Sequence, residues 1–302
     1  MLFDTGNIHT TVLPDELFSN KQLSVDVLRL DEIHPVVSGN KLFKLHYFLE
    51  EAIASGHQTI LTFGGAWSNH LPATAFACQL AGLKSIGIVR GEQPATLSFA
   101  LQQCLQYGMQ LKYVTREIYA GKDDPAFIKA LQKEFGECLI VPEGGYHPRG
   151  AKGAALIMDL VKEKGYTHIC TATGTSTTLA GLLMATENEQ LIVGVSVLKG
   201  MTDIRERINR LSKGTANLHQ LQLFNDHHFG GYAKCTPTLI QFMNKCWEQF
   251  QLPLDFVYTA KMLYAVFDGI RNDHFPRSSR IVCLHTGGLV GNHSLPMGTL
   301  LY

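Results

Sequence analysis

The chain has 302 residues, of which 45% are hydrophobic and 17% charged, and its 26 basic and 26 acidic side chains give a formal net charge of zero. This composition is typical of a folded globular protein of one or two domains, and it excludes the disordered, collagen-like and coiled-coil classes. The balanced charge also argues against a general nucleic-acid-binding protein, which normally carries a basic excess.

Apolar segments and chain breakers alternate from residue 42 onwards. Short apolar runs that end in glycine or polar residues predict strands, and the segments between them have apolar residues at helical spacing. The predicted helices cover residues 42–56, 69–80, 95–107, 124–135, 150–164 and 177–187. The predicted strands cover residues 58–65, 84–91, 110–116, 138–145, 168–174 and 190–198. This alternation predicts an α/β fold with mostly parallel strands, in which ligands bind beyond the carboxyl ends of the strands.

The seven cysteines are odd in number, widely separated and never spaced as Cys-x-x-Cys. Disulfide frameworks need pairs and zinc sites need close spacing, so the sequence predicts neither. The first residues show no basic-then-apolar signal pattern, and no run reaches the roughly 18 apolar residues of a membrane helix. We therefore expect a reduced, cytoplasmic protein that acts on a small molecule and binds neither membranes nor nucleic acids.

The loop after the first predicted strand, residues 63–70, contains two glycines followed by Ser68 and Asn69. Serine and asparagine are favourable capping residues for the helix that follows. Their side chains would also project from the end of a strand, where a ligand would lie. On the residues alone, a helix cap and a ligand contact remain equal alternatives.

A second loop follows the predicted strand 168–174 and has an unusual run of small polar residues. Its members are Gly174, Thr175, Ser176, Thr177 and Thr178. Backbone amides at a helix start, together with hydroxyl groups and the helix dipole, can bind an anion such as phosphate. The run matches neither a dinucleotide-binding nor a P-loop motif. The alternative is an ordinary strand-to-helix turn.

Two lysines, Lys41 and Lys44, stand at the start of the first long helix, after Ser38, Gly39 and Asn40. A lysine is costly to bury unless it is paired or neutralised. Their spacing alone favours two solvated helix lysines. The functional alternative makes one of them a Schiff-base lysine.

Two later loops have a similar form. Tyr258 and Thr259 begin a predicted helix, and Thr286 follows a short apolar strand in the segment HTGG. Each is individually a loop with a helix cap. The adjacent pair His227 and His228 could suggest a metal, but neighbouring residues face different directions and no third ligand is evident, so no metal is expected.

Taken together, seven segments resemble those of a known enzyme family. In chain order they are HPVVSGNKLFKL, FGGAWSNH, PEGGYHPRGAKG, TGTSTTLAG, HHFGGYAK, VYTAK and HTGG. This set is similar to the 1-aminocyclopropane-1-carboxylate (ACC) deaminase and D-cysteine desulfhydrase family, pyridoxal-phosphate enzymes related to the tryptophan synthase β subunit. The resemblance covers residues from about 28 to 290 and reverses the interpretation of Lys41.

The resemblance implies a role for each matching cofactor residue. Lys41 matches the lysine that binds pyridoxal phosphate covalently and shuttles the α proton. Asn69 matches the residue that hydrogen-bonds the phenolic oxygen of the cofactor. Residues 174–178 match the phosphate loop, and Thr286 would lie near the pyridine nitrogen.

For the substrate, the resemblance implies that Ser68 lies near the carboxylate or the transferred proton, and that Tyr258 is an active-site tyrosine.

The resemblance also implies a fold-type II enzyme with two open, mostly parallel sheets, usually a homodimer. Residues 1–43 and 158–302 would form the larger cofactor domain. Residues 44–157 would form a smaller, mobile domain that closes over the substrate.

Two positions bear on the substrate. Ring-opening deaminases tend to have glutamate at the position of Thr259 and leucine at the position of Thr286. With threonine at both positions, this chain resembles the D-cysteine desulfhydrases of the family more than the deaminases. The favoured reaction is therefore elimination from D-cysteine to pyruvate, sulfide and ammonia. The alternatives are ACC deamination to 2-oxobutyrate and a non-catalytic pyridoxal-phosphate-binding protein. Leu42 and Phe43 also depart from the basic residue that the family usually carries before the second lysine.

Overall fold

The computed structural model describes residue 6 and residues 8–34, 39–187 and 189–302. Ser38, which belongs to the lysine segment, lies outside the described residues. The strands are β1 (Thr10–Val12), β2 (Ser24–Leu28), β3 (Thr59–Gly65), β4 (Lys84–Arg90), β5 (Met109–Val114), β6 (Leu139–Val141), β7 (His168–Thr173), β8 (Leu191–Ser196), β9 (Leu221–Phe224) and β10 (Arg280–Leu284). The helices are α1 (Glu16–Asn20), α2 (Asn40–Ala54), α3 (His70–Leu80), α4 (Phe99–Gln106), α5 (Arg116–Ala120), α6 (Pro125–Phe135), α7 (Pro148–Ala155), α8 (Thr177–Ala185), α9 (Ile204–Ser212), α10 (Pro237–Phe250) and α11 (Thr259–Arg271).

The larger sheet has the strand order β1-β2-β10-β7-β8-β9. β1 is antiparallel to β2, and the other neighbouring strands of this sheet are parallel. Its side chains alternate between two buried faces: in β7, Ile169 packs with side chains of α8 and α9, whereas Cys170 packs with side chains of α10 and α11. Coverage on both faces explains why the parallel strands are almost continuously apolar.

The smaller sheet has the order β5-β4-β3-β6, and all its neighbouring strands are parallel. Ile60 of β3 packs with side chains of α2 and α3, whereas Leu61 and Phe63 pack with side chains of α5 and α6. The prediction of an α/β fold with two mostly parallel sheets flanked by helices is therefore confirmed.

Three elements are clearly shorter than the sequence predicts. The helix expected over residues 95–107 is α4, which begins only at Phe99, after the capping residue Ser98. The strand expected over residues 138–145 is only β6, because Pro142 cannot donate a ladder hydrogen bond and residues 143–145 turn away from the sheet. The helix expected over residues 150–164 ends as α7 at Ala155 and continues as 3₁₀ turns over Leu156–Leu160 and Lys162–Lys164. Apolar spacing does not separate an α-helix from these tighter turns.

The division into two domains stays a prediction. The strands of the smaller sheet lie between residues 59 and 141, and those of the larger sheet lie within 10–28 and 168–284. The expected boundary between residues 43 and 44 falls inside α2, which runs on without interruption. In the described part of the chain, no helix has the length and apolar character needed to cross a membrane.

Candidate active site

The loops at the carboxyl ends of β3, β7 and β10 meet the start of α2 around a small cavity of about 60 Å³, here called the inner cavity. Its lining residues are Asn40, Lys41, Lys44, Asn69, Gly144, Ala172–Thr178, Tyr258 and Thr286–Gly288. A larger outer cavity of about 480 Å³ adjoins it, and the residues that line both cavities are Lys41, Asn69, Gly144, Gly174, Thr175 and Tyr258. Ser68 lines only the outer cavity. The structure thus brings together the site residues that the sequence analysis selected.

The run Gly174–Thr178, here called the threonine loop, joins β7 to α8. Ser176 has a left-handed backbone (φ 65°), which turns the chain into the helix. Thr175 and Thr177 share a hydrogen bond of 2.9 Å between their hydroxyl groups. The first backbone amides of a helix have no intrahelical acceptor, and here the residues that carry them, Thr177 and Thr178, line the inner cavity together with their hydroxyl groups. This arrangement suits a phosphate group.

Lys41 lies in the first turn of α2, and the start of this helix is fixed by a backbone contact with Thr286. The amide nitrogen of Asn40 donates to the carbonyl oxygen of Thr286 at 3.3 Å. A Cβ atom on Gly39 would overlap that same oxygen, and Gly39 has φ of 85°, so the approach requires glycine. The Lys41 Nζ atom donates to Asn40 Oδ1 at 2.8 Å and lies 5.7 Å from the centre of the Tyr258 ring.

Burial lowers the pKa of Lys41 to about 8, although the nearby charge of Asp255 opposes the shift. A lysine with this pKa has a substantial neutral fraction near physiological pH. The neutral amine is the nucleophilic form that attacks a carbonyl group. The environment of Lys41 therefore favours covalent chemistry.

Lys44 is a site residue that the sequence analysis did not select. Its side chain is only 4% exposed, so the interpretation as a solvated helix lysine is wrong. Burial, followed by the charge of Lys41, lowers its pKa well below the usual value. Its Nζ atom donates to the carbonyl oxygen of Gly144 at 3.4 Å and lines the inner cavity. The signal was available in the spacing, since Lys44 follows Lys41 by three residues on the same helix face.

The β3–α3 loop presents Ser68 and Asn69 to the site. Asn69 Oδ1 is buried without a protein hydrogen bond, so the amide is available to a bound group. The Ser68 hydroxyl accepts from the His70 amide at 3.1 Å, which leaves its proton free to be donated. The His70 ring contacts the Thr62 hydroxyl at 2.9 Å, and burial, then the charges of Lys41 and Lys44, lowers its pKa to about 3. His70 is therefore neutral.

Tyr258 is held at the start of α11 by the buried carboxylate of Asp255. This carboxylate accepts from the amides of Val257, Tyr258 and Thr259 at 2.8–2.9 Å and from the Thr259 hydroxyl at 2.8 Å. Thr259 is fully buried and lies outside the lining of both cavities. Burial, and then Tyr232, raises the pKa of Tyr258 well above the usual value, so its hydroxyl stays protonated.

Tyr232 is a second residue that the sequence analysis did not select. It lies on residues 227–234, here called the tyrosine loop, and its ring centre is 6.2 Å from that of Tyr258 at the wall of the outer cavity.

The two histidines of the tyrosine loop make hydrogen bonds within the protein. His227 pairs with Asp268 at 2.9 Å, and His228 Nδ1 accepts from the Gly230 amide at 3.0 Å. In the described residues, no cluster of His, Cys, Asp and Glu could hold a metal ion.

A family model described as "Pyridoxal-phosphate dependent enzyme" matches residues 7–287. The chain belongs to this family. It is 27% identical to a putative ACC deaminase of Pyrococcus abyssi, over 90% of this chain and 87% of the relative. It is 30% identical to a putative ACC deaminase of Thermotoga maritima, over 89% of each chain. A D-cysteine desulfhydrase of Salmonella choleraesuis is 24% identical, over 86% of each chain.

A solved structure described as an ACC deaminase homologue superposes with a TM-score of 0.83 and 26% identity, over 97% of this chain and 92% of that one. O-ureido-L-serine synthase, at 14% identity and a TM-score of 0.69, shares the fold. The chain is thus a pyridoxal-phosphate-dependent enzyme of the ACC deaminase and D-cysteine desulfhydrase type, with fold-type II architecture.

The residues present fit this cofactor. The threonine loop and Lys44 offer amides, hydroxyl groups and an amine to a phosphate. The unpaired Oδ1 atom of Asn69 can accept a hydrogen bond from a phenolic hydroxyl group. Lys41 has the lowered pKa that covalent attachment to an aldehyde requires. The inner cavity therefore provides a suitable partner for each polar end of pyridoxal phosphate.

Proposed function

We propose that this enzyme converts D-cysteine and water to pyruvate, sulfide and ammonia. The observation that carries this proposal is the neutral wall of the inner cavity, since none of its lining residues in the described chain is acidic. A carboxylate near the pyridine nitrogen would strengthen the electron sink, whereas Thr286 offers a neutral hydroxyl. Elimination of a good leaving group such as sulfide makes a smaller demand on carbanion stabilisation than ring opening does.

In this proposal, Lys41 holds the cofactor covalently, the threonine loop and Lys44 hold its phosphate, Asn69 holds its phenolic oxygen, and Thr286 lies at its ring nitrogen. When bound, pyridoxal phosphate supplies an electron sink for charge that develops at the substrate α carbon. The support for these roles is that all five groups line the inner cavity.

Three residues are suited to transfer or donate protons during the reaction, because their surroundings determine whether each carries a proton. The amine of Lys41, whose pKa is lowered to about 8, would be able to take the α proton of a substrate. Tyr258 stays protonated and donates, either to the leaving group or to the substrate carboxylate. Ser68 has a free hydroxyl proton and is suited to bind the carboxylate.

The second candidate is deamination of ACC, which with water gives 2-oxobutyrate and ammonia. It is favoured by the names of four relatives that are 27–30% identical to this chain, all putative ACC deaminases. The two reactions share the cofactor and the basic lysine, so the product distinguishes them.

The test is release of 2-oxo acid by the cofactor-loaded protein with D-cysteine, L-cysteine and ACC in parallel, and with Lys41→Ala as the inactive control. We expect pyruvate and sulfide from D-cysteine alone. Release of 2-oxobutyrate from ACC, with none from D-cysteine, would replace the first candidate by the second. Turnover by Lys41→Ala equal to that of the natural protein would refute the role of the lysine.

We also propose, on the family resemblance, that residues 44–157 close over the substrate, and that the enzyme is a cytoplasmic homodimer. Sedimentation of the cofactor-loaded protein tests the dimer. Small-angle scattering with and without a slowly reacting amino acid tests the closure, for which we expect a smaller radius of gyration with ligand.

A further inference from the structure

The tyrosine loop lies along one face of α11, in contact with it at several levels. At the far end, His227 Nε2 is 2.9 Å from Asp268 Oδ2. Next, the Phe229 ring packs edge-on against the Tyr264 ring, with 4.9 Å between their centres. The loop therefore runs antiparallel to the helix, towards the active site.

Lys261 makes the next contact. Its Nζ atom donates to the carbonyl oxygens of His228 at 2.9 Å and Gly231 at 2.7 Å. The last contact is that of Tyr232 with Tyr258, whose rings cross at 69°. Residues 258, 261, 264 and 268 are spaced by three or four positions, which places them on one face of a helix. Each contact along this face thus helps to place the next one.

The tyrosine loop has a conformation that it would not keep by itself. Phe229 and Ala233 both have left-handed backbones (φ 50°), and Gly230 and Gly231 have φ of 94° and 115°. Left-handed non-glycine residues cost free energy and persist where surrounding contacts enforce them. The two carbonyl groups bound by Lys261 also accept from the amides of Gly231 at 3.0 Å and Lys234 at 3.2 Å, so the lysine braces both turns of the loop.

Lys261 is an unusual residue to find in the protein interior. Its side chain is fully buried, and no carboxylate among the described residues lies within 4.0 Å of its Nζ atom. A buried cation without a counter-ion is expensive, and a methionine would fill similar space without that cost. The lysine is explained by the carbonyl groups that it binds.

We propose that Lys261 is a positioning residue. It holds the tyrosine loop against α11 and so keeps Tyr232 in contact with Tyr258 at the outer cavity. One part of this inference rests on the proposed function, namely that Tyr232 and Tyr258 act on the substrate at the outer cavity. The contact of the loop with α11 can itself be measured without any substrate.

The experiment compares the cofactor-loaded natural protein with Lys261→Met, and with Lys234→Met as the matched control, since Lys234 is an exposed lysine of the same loop. Hydrogen exchange of the Gly231 amide should be about tenfold faster in Lys261→Met and unchanged in Lys234→Met. Lys261→Gln, which keeps an amide donor, should restore part of the protection.

The activity arm uses a double-mutant cycle with Tyr232→Phe, on whichever amino acid the enzyme turns over. In the natural background Tyr232→Phe should lower kcat about tenfold, whereas in Lys261→Met it should lower kcat less than about twofold, because the tyrosine is already displaced. Unchanged exchange in Lys261→Met, or multiplicative effects of the two changes, would overturn the proposal. Absence of turnover in the natural protein would count against the proposed function alone, and exchange would still decide the role of Lys261.

Discussion

The side-chain amide of Asn40 donates to the hydroxyl group of Thr178 at 2.7 Å, across 138 positions of sequence. Both residues are buried. Because the oxygen of the same amide accepts from Lys41, one asparagine joins the lysine to the first turn of α8. The distance between the covalent site and the phosphate site is therefore set by a side chain that has no reactive role.

Asn40→Ala should weaken pyridoxal-phosphate binding by about tenfold, because it frees Lys41 and leaves the Thr178 hydroxyl without its donor. A titration of the cofactor-free protein followed by absorbance measures this. The matched control is Asn244→Ala, which removes a side-chain hydrogen bond to the carbonyl oxygen of Thr299, away from the site. Equal affinities for the two variants would contradict the linking role of Asn40.

Lys44→Met should have opposite effects on stability and on binding. The free energy of unfolding of the cofactor-free protein should rise, because a buried amine that is costly to keep charged is removed. Affinity for pyridoxal phosphate should fall by about 10- to 100-fold, because a charge-assisted hydrogen bond to phosphate is lost. Urea unfolding and cofactor titration measure the two effects, and the exposed Lys129→Met should change neither. A loss of stability in Lys44→Met would show that burial of the Lys44 amine does not destabilise the native protein.

The rate at which the cofactor-free protein captures pyridoxal phosphate should rise with pH up to about 8 and then level off. The pKa of Lys41 is lowered to about 8, so the neutral, nucleophilic amine increases with pH until that point. Stopped-flow absorbance between about pH 6 and 9.5 follows the reaction. Lys41→Ala should show only rapid, non-covalent binding, without this pH profile.

The same pKa has a consequence for stability. Between about pH 8 and the ordinary lysine value, the unfolded chain binds a proton at Lys41 that the native protein does not, so the free energy of unfolding rises with pH in that window. The advantage of Lys41→Met over the natural protein should therefore be greatest below pH 8 and shrink above it. Urea unfolding of both proteins across that range measures the difference, and a constant difference would contradict the lowered pKa.

Gly39→Ala should abolish cofactor binding. Its Cβ atom would overlap the Thr286 carbonyl oxygen and displace the start of α2, while φ of 85° adds backbone strain. Gly56→Ala isolates the strain, because Gly56 has φ of 74° but no atom within 4 Å of an added Cβ. That control should lose only about 1 kcal/mol of stability and bind the cofactor normally. Similar binding by both variants would show that the close approach is not needed.

The predictability of the fold and of the site differs for physical reasons. Alternating apolar runs and helical spacing are local properties, so the α/β class and the position of the threonine loop follow from the sequence. The burial of Lys44 depends on α2 packing against Gly145, where an added Cβ would lie 3.2 Å from the lysine Cβ. That contact joins residues about 100 positions apart. The spacing that places Lys44 on the helix face of Lys41 therefore does not show by itself that this face is buried.

Tyr232 illustrates the same limit of local patterns. Its segment, HHFGGYAK, has histidines and glycines that draw attention to a metal or a turn. The tyrosine reaches the site through contacts between its loop and α11, among them the hydrogen bonds from Lys261, 29 positions later, to the backbone of the loop. The roles given to Lys41, Ser68, Asn69 and Thr286 depended on the ordered set of motifs, since each motif taken singly fits an ordinary loop.

The position of β10 affects how the protein is made. This strand lies between β2 and β7 in the larger sheet, although it is the last strand of the described chain. During synthesis, β2 and the β7–β9 segment can pair with this central strand only after residue 284 has emerged. Pairings over such long sequence separations form slowly. Because Thr286 lies two residues after β10 and its carbonyl oxygen accepts from the Asn40 amide at the start of α2, the nascent chain can acquire its cofactor only after this late segment has emerged from the ribosome.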